Sequence, residues 1–298
     1  MKVQKKKPDE DLFKELAEAK AYLNLNGKIL AANEPVLLSV NRAFRYGDAL
    51  FETIRIAKGR ILFLNEHLKR ISNGMRFLKM ENRQEFSVRL IGQQMVELAS
   101  KNNIKTDGRL RLTIFRNYDG LYTPEVNSVS YLIEAEKIKE QGFILNQKGY
   151  SIDIFTEVKK SQNKLSNIKS ANALIYVLAG IHKKENQLDD CIILNEPGNI
   201  AEAISSNVFV VKDGIIFTPP LNESCVDGIM RQQIIRLAKA NDLIVYETPI
   251  PPDFLYEADE LFLTNAIQGI RWVGAFNIRR YYNNTSKVLT EILNKSIA

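Results

Sequence analysis

The stretch Lys164–Gly214, KLSNIKSANALIYVLAGIHKKENQLDDCIILNEPGNIAEAISSNVFVVKDG, decides the fold. It opens on a short polar loop that carries Lys169. Leu174, Val177, Leu178 and Ile181 then recur at helical spacing and form the apolar face of an amphipathic helix. Cys191–Leu194 is a short apolar run with the length of a buried strand, and Pro197-Gly198 turns the chain. Glu202 and Asn207 follow. A second strand, Val208–Val211, ends in the turn Lys212-Asp213-Gly214. Helix, strand, turn and strand thus bring one lysine and one carboxylate into the same neighbourhood.

Around this centre the composition sets limits. A chain of 298 residues with 45% hydrophobic side chains suggests about two domains with full cores. Net charge is +6, with Lys5, Lys6 and Lys7 clustered in the first residues. A basic run of that kind is read as a solvated tail, so no nucleic-acid partner is expected. Cys191 and Cys225 are the only cysteines and His67 and His182 the only histidines. Free or buried thiols in a reducing cytoplasm follow from the first pair. The second pair leaves no metal-spaced cluster and no dyad of convergent histidines. No signal peptide or membrane-spanning run is apparent, and a cytoplasmic chain with no membrane partner is expected.

Taken in order, residues 9–21 read as a short amphipathic helix. Tyr22–Leu25 alternates like a strand and Asn26-Gly27 is a strong hairpin turn. Leu37–Arg45 leads to a turn at Tyr46-Gly47-Asp48. Ala49–Ile56 is a strand, Lys58-Gly59 a turn and Ile61–Leu64 a further extended segment. Asn65 is placed as the cap of a helix with Leu68, Ile71, Met75 and Leu78 inward, and a second helix covers Gln84–Lys101. Arg109–Arg116 and Ser128–Glu136 are strands. The polar stretch Lys137–Gly149 separates the halves. The second half begins with strand Ser151–Glu157. After the central stretch come strand Ile215–Thr218, a loop ending at Asp227-Gly228, and a helix from Ile229 to Ala240. Strands Leu243–Glu247 and Glu260–Thr264 flank a short helix capped by Asp253, and a last helix covers Val288–Ile297.

Three further pieces can carry chemistry beside Lys169 and Glu202. Gly228 at a helix start allows close backbone approach, and the first-turn N–H groups of Ile229 and Met230 favour an anion such as phosphate. Arg70 can clamp a phosphate with a guanidinium fork. Asn265-Ala266, at a strand end, can offer backbone N–H groups to the same anion. Lys169 supplies an amine able to hold an aldehyde cofactor as a Schiff base. Glu202 supplies a carboxylate able to keep a pyridine nitrogen protonated, so that the ring accepts electrons.

Seven blocks in fixed order carry a resemblance: RYGDALFETIR (45–55), EHLKR (66–70), SNIKSANAL (166–174), IAEAISSNVFVVKDG (200–214), FTPPL (217–221), GIMRQ (228–232) and ADELFLTNA (258–266). From Tyr22 onward the chain resembles the class IV aminotransferases, the pyridoxal-phosphate family of branched-chain and D-amino-acid aminotransferases and 4-amino-4-deoxychorismate lyases. The resemblance implies an α/β (α+β), two-domain, D-amino-acid-aminotransferase-like fold. It comprises an N-terminal extension (1–21), an N-terminal α/β domain (22–140), a linker (141–150) and a C-terminal cofactor-binding domain (151–298). It further implies a homodimer acting on a small amino substrate, with pyridoxal 5′-phosphate between the domains. Lys169 matches the Schiff-base lysine, Glu202 the carboxylate at the pyridine nitrogen, and Arg70 the phosphate-binding arginine of an H-x-x-R motif in which His67 is structural. Ile229, Met230 and Ala266 match phosphate-contacting positions, Asn207 lies in a wall beside the ring, and Asn265 adjoins the same phosphate-binding turn.

The departures bear on the reaction. Met230 stands where transaminases of the family often have Thr, and Thr264-Asn265-Ala266 replaces their Ser/Gly-Thr type of sequence. Arg111–Pro124, RLTIFRNYDGLYTP, replaces the aromatic-x-Arg-Pro signature of branched-chain enzymes. These three features resemble the lyases, and Arg116 is placed to meet a substrate carboxylate. The preferred expectation is release of pyruvate and 4-aminobenzoate from 4-amino-4-deoxychorismate. The alternatives are branched-chain or D-amino-acid transamination and, more remotely, a non-catalytic binding protein on the same scaffold.

Overall fold

The structure is a computed structural model that describes residues 21–81, 87–139 and 142–297. The helix expected over 9–21 lies outside the described residues except for Ala21. Two compact units divide the chain, the first ending at Lys139 and the second beginning after it.

In the first unit, β1 (Tyr22–Leu25) and β2 (Lys28–Ala31) form the expected hairpin, with Asn26 and Gly27 both at positive φ. Where only a turn was expected, residues Arg42–Tyr46 form a short helix, α1, capped by the Asn41 side chain and closed by left-handed Gly47. Then come β3 (Ala49–Ala57), β4 (Arg60–Ile61), α2 (Leu64–Phe77), α3 (Val88–Lys101), β5 (Gly108–Arg116) and β6 (Val129–Lys137). The strands make one antiparallel sheet in the order β2-β1-β6-β5-β3-β4. On β3, Leu50, Glu52, Ile54 and Ile56 share one buried face, as period-2 alternation requires. The cap expected at Asn65 is not formed. Phe63 is the N-cap, in left-handed conformation and with no side-chain cap bond, and Asn65 lies inside the first turn.

The second unit holds β7 (Tyr150–Lys160), α4 (Leu174–Glu185), β8 (Asp190–Asn195), β9 (Ile200–Ala203), β10 (Asn207–Lys212) and β11 (Ile215–Thr218). These are followed by α5 (Ile229–Ala240), β12 (Val245–Glu247), α6 (Phe254–Glu257), β13 (Glu260–Asn265), β14 (Gly269–Phe276), β15 (Arg279–Arg280) and α7 (Asn284–Ser296). A mixed sheet runs β12-β11-β10-β13-β14-β7-β8-β9, with β15 on β14. Its core is aliphatic: Ile192, Val208, Val210, Leu261, Leu263 and Val273 are all fully buried.

Three local expectations need correction here. Strand β7 runs on past Glu157 to Lys160, with a register shift between Phe155 and Lys160. Asp253 precedes α6 but makes no side-chain cap bond. The apolar stripe of α4 faces outward: Leu174 is 79% exposed, Val177 55%, Leu178 40% and Ile181 49%. The helix instead packs through Ala179, Ile175 and Tyr176 against Phe155, Cys191 and Ile193.

Candidate active site

The second unit gathers most of the predicted residues around one loop, Pro219–Gly228. Glu202 sits in β9, 4% exposed, although a carboxylate near a turn is ordinarily solvated. Its neighbour β8 pairs with β7 on the other side, so Lys160 lies across one strand from it, opposite Asn195. Lys160 Nζ donates to Glu202 Oε1 in a short contact between two buried side chains. The Tyr176 hydroxyl donates to the same oxygen at 2.6 Å. The backbone N–H of Val226 donates to Oε2 at 2.8 Å. A carboxylate offers about four acceptor positions, so the three donors leave one direction on Oε2. Burial and the adjacent carboxylate push the Tyr176 phenol far above its usual range, which keeps it a donor. The Cys225 thiol is likewise pushed up to about 12 by burial, against the attraction of Arg231, and so stays protonated.

Lys169 reaches this loop through its own. A 3-10 turn at Lys164–Asn167 is capped by Asn163, whose side chain accepts from the Leu165 N–H. The Asn167 amide then donates to the carbonyls of Leu221 and Cys225, both at 2.7 Å. Cys225 precedes Val226, the residue that bonds Glu202. The half-buried Lys169 is therefore two residues from an anchor on the loop that holds the carboxylate, and α4, which follows it, supplies Tyr176.

The far end of the same loop leads into the start of α5. The Asn207 amide donates to Val226 O at 2.8 Å, and a Cβ at Gly228 would meet Asn207 Oδ1 at 1.8 Å. Only glycine fits there with Asn207 in place. Gly228 is the N-cap of the 12-residue α5, which has no side-chain cap and no acidic residue in its first turn. Ile229 and Met230 bury their side chains, so they present backbone N–H groups. Thr264, register partner of Asn207, has a buried hydroxyl with no partner among the described residues. The Asn265 side chain shapes the next turn, accepting from the N–H groups of Ile267 and Gln268 and donating to Ser206 Oγ at 3.0 Å, and half-buried Ala266 sits in that turn. An uncapped helix start, a glycine forced by close approach and an unspent hydroxyl suit a phosphate.

The first unit carries the other two predicted residues. Arg70 projects from α2 and forks onto Glu52, Nε to Oε1 at 2.7 Å and Nη2 to Oε2 at 2.5 Å. His67 Nδ1 lies 2.6 Å from Glu52 Oε2, and His67 is fully buried. Burial opposes ionisation of Glu52, but Arg70 and His67 outweigh it and hold the carboxyl at about 2. Arg116 is 5% exposed, neither a surface arginine nor one turned to a ligand. Its Nε donates to Asp48 at 2.9 Å, Nη2 to Leu78 O at 2.7 Å, and Nη1 to Asn127 and Lys79 O. These partners tie β5 to the ends of α2 and β6.

Glu52, Lys160 and Tyr176 were not singled out from the sequence. Glu52 had a signal, a charge in the apolar phase of β3. The shifted register of β7 hid Lys160, and the larger outward stripe of α4 masked Tyr176. Among the described residues no group of His, Cys, Asp and Glu is arranged to hold a metal, and no helix is long and apolar enough to cross a membrane.

Residues 49–276 match the sequence model of amino-transferase class IV. The chain is 28% identical over 247 residues to the D-alanine aminotransferase of Bacillus licheniformis, covering 80% of this chain and 83% of the relative. It is 29% identical over 279 residues to the "Probable branched-chain-amino-acid aminotransferase" of Aquifex aeolicus, covering 90% and 88%. The crystal structure of the Escherichia coli branched-chain amino acid aminotransferase superposes with a TM-score of 0.82 at 25% identity, over 91% of this chain and 93% of that one. Sequence blocks, two-sheet fold and family match agree: the chain belongs to the class IV aminotransferases, a family of pyridoxal-phosphate-dependent enzymes.

Proposed function

We propose that this enzyme binds pyridoxal 5′-phosphate through Lys169 and uses it to release pyruvate from 4-amino-4-deoxychorismate, leaving 4-aminobenzoate. The observation that carries the cofactor assignment is the Pro219–Gly228 loop, which bonds Glu202, the Lys169 loop and Asn207, and opens onto the uncapped start of α5. When bound, the cofactor's protonated ring supplies a sink for electrons from the carbon that bears the substrate amine.

The protein's part follows from its residues. Glu202 keeps the ring nitrogen charged through its remaining acceptor direction. The N–H groups of Ile229, Met230 and Ala266 hold the phosphate, Asn207 and Asn265 shape that wall, and Arg70 adds a guanidinium contact. Lys169 Nζ would take the proton from the amine-bearing carbon, the adjacent C–O bond to the three-carbon fragment would break, and the same amine would return a proton to that fragment as it leaves. Lys160 is not offered to the aldehyde, because its buried Nζ is already held on the Glu202 carboxylate. Arg116 is left out of substrate binding, since its donors face Asp48, Asn127 and two carbonyls.

The lyase is favoured over transamination by Met230, by Thr264-Asn265-Ala266 and by the segment 111–124, which resemble lyases in sequence. A second reading, transamination of branched-chain or D-amino acids, is favoured by the names of the relatives. Turnover separates the two. A lyase releases pyruvate and 4-aminobenzoate steadily with no 2-oxo acid present. If valine, leucine or D-alanine instead bleach the visible band and 2-oxoglutarate restores it, with aminodeoxychorismate untouched, transamination takes its place. A cytoplasmic homodimer completes the proposal, and the outward stripe of α4 is the face offered for pairing.

A further inference from the structure

We infer that Lys160 is a positioning residue that holds Glu202 as an ionised, single-rotamer carboxylate, so that the cofactor's ring nitrogen keeps its proton. The inference rests on the cofactor proposed above and adds a residue that no sequence block pointed to.

A buried carboxylate is destabilised in its charged form unless a cation or several donors compensate it. Lys160 is the cation in direct contact with Glu202, and both side chains are under a tenth exposed. It arrives from the end of β7, across β8, while Tyr176 arrives from α4 and the Val226 N–H from the loop. Three separate elements thus fix one carboxylate. The other titratable group beside it is the protonated Cys225 thiol, which in turn feels Arg231 and Asp227. Two of the donors sit on Oε1 and the third on Oε2. The side chain cannot flip without losing its bonds, and one Oε2 position stays directed away from them. Without Lys160 the carboxylate becomes the better base. The proton shared with a ring nitrogen then moves onto Glu202, and the ring loses the charge that makes it an electron sink.

The test compares Lys160→Met, Lys160→Arg and Tyr176→Phe with the unaltered protein, all loaded with pyridoxal phosphate labelled with 15N in the ring. The readout is the ring-nitrogen chemical shift, and melting of each apoprotein shows whether it folds. Lys160→Met is expected to move the resonance towards neutral pyridine and to lower turnover by at least about tenfold, the equivalent of one pKa unit. Lys160→Arg is expected to restore the protonated position. Tyr176→Phe, which removes a donor but no charge, is expected to move it in the same direction by less. A Lys160→Met resonance that stays in place, or a Lys160→Arg protein that behaves like Lys160→Met, overturns the inference. Should Lys160→Met not fold, an unmoved resonance in Tyr176→Phe overturns it. If the unaltered protein takes up no cofactor, the cofactor proposal fails first and takes this inference with it; if it does and the variants match it, only the inference falls.

Discussion

Glu202 and Glu52 are both buried carboxylates facing a cation, one in each unit, and they are expected to respond differently to substitution. Glu202→Gln keeps the shape and the Val226 bond but cannot hold a pyridinium as an ion pair. Cofactor should stay bound while turnover falls, by about a hundredfold or more if the lost charge is worth some 3 kcal/mol; single-turnover kinetics read it, and full activity would place Glu202 away from the ring. Glu52 acts on folding. Its carboxyl is held at about 2 against an ordinary 4.5. The folded value is depressed, so its contribution is fully present above about 4.5 and is lost as pH falls towards 2. Urea unfolding from pH 6 to 2.5 should therefore show a steep loss of stability in the parent protein and a shallower one in Glu52→Gln. That variant starts about 3–5 kcal/mol lower, because it removes the buried negative charge that Arg70 and His67 face. A parallel pH dependence in the two proteins would contradict the assignment. Arg70→Ala removes the phosphate contact proposed for it and should weaken cofactor binding by about 1.5–3 kcal/mol, read by equilibrium dialysis.

At the scale of elements, Gly228 is a joint between the Pro219–Gly228 loop and α5. Its φ of −68° suits any residue, so its requirement is for space. Gly228→Ala should force Asn207 to rotate and give up its bond to Val226 O, at about 1–3 kcal/mol. Melting and cofactor affinity should fall together, and an alanine variant with both unchanged would show that the wall yields at no cost. Helix α4 shows where the sequence could and could not be read. Its presence followed from periodicity, but periodicity only says that apolar residues share a face, not which way that face turns. Leu174, Val177, Leu178 and Ile181 form the stronger stripe and point outward, while the weaker face with Ala179 and Tyr176 packs inward. Val177→Asp on that outward stripe should convert the proposed dimer to monomers, measured by light scattering; an unchanged mass would place the interface elsewhere or nowhere. Similarly, the strand expected over Ser151–Glu157 runs on, and a register shift that no local pattern announces brings Lys160 into the core. The hairpins at Asn26-Gly27, Lys58-Gly59 and Asp213-Gly214 were legible because each places a glycine where the turn needs positive φ.

For the whole molecule, the fold and the class of chemistry were legible because many short blocks in one order are far more specific than any one of them. Lys169, Glu202, Asn207 and Met230 could be named from those blocks. What the blocks omitted were residues whose role arises only from packing: Lys160 and Tyr176 at Glu202, and Glu52 between His67 and Arg70. The structure thus sets Lys160 on Glu202 and Lys169 two residues from an anchor of the loop that bonds Glu202, and the proposal assigns the two lysines different tasks. Lys169 is proposed to form the covalent bond to the cofactor, and Lys160 to hold Glu202. Reduction of the cofactor-loaded protein with borohydride, followed by peptide mapping, separates the two directly. The account predicts the label on Lys169, with Lys160 unmodified and with no stable label in Lys169→Ala; a label on Lys160 in the unaltered protein would contradict it.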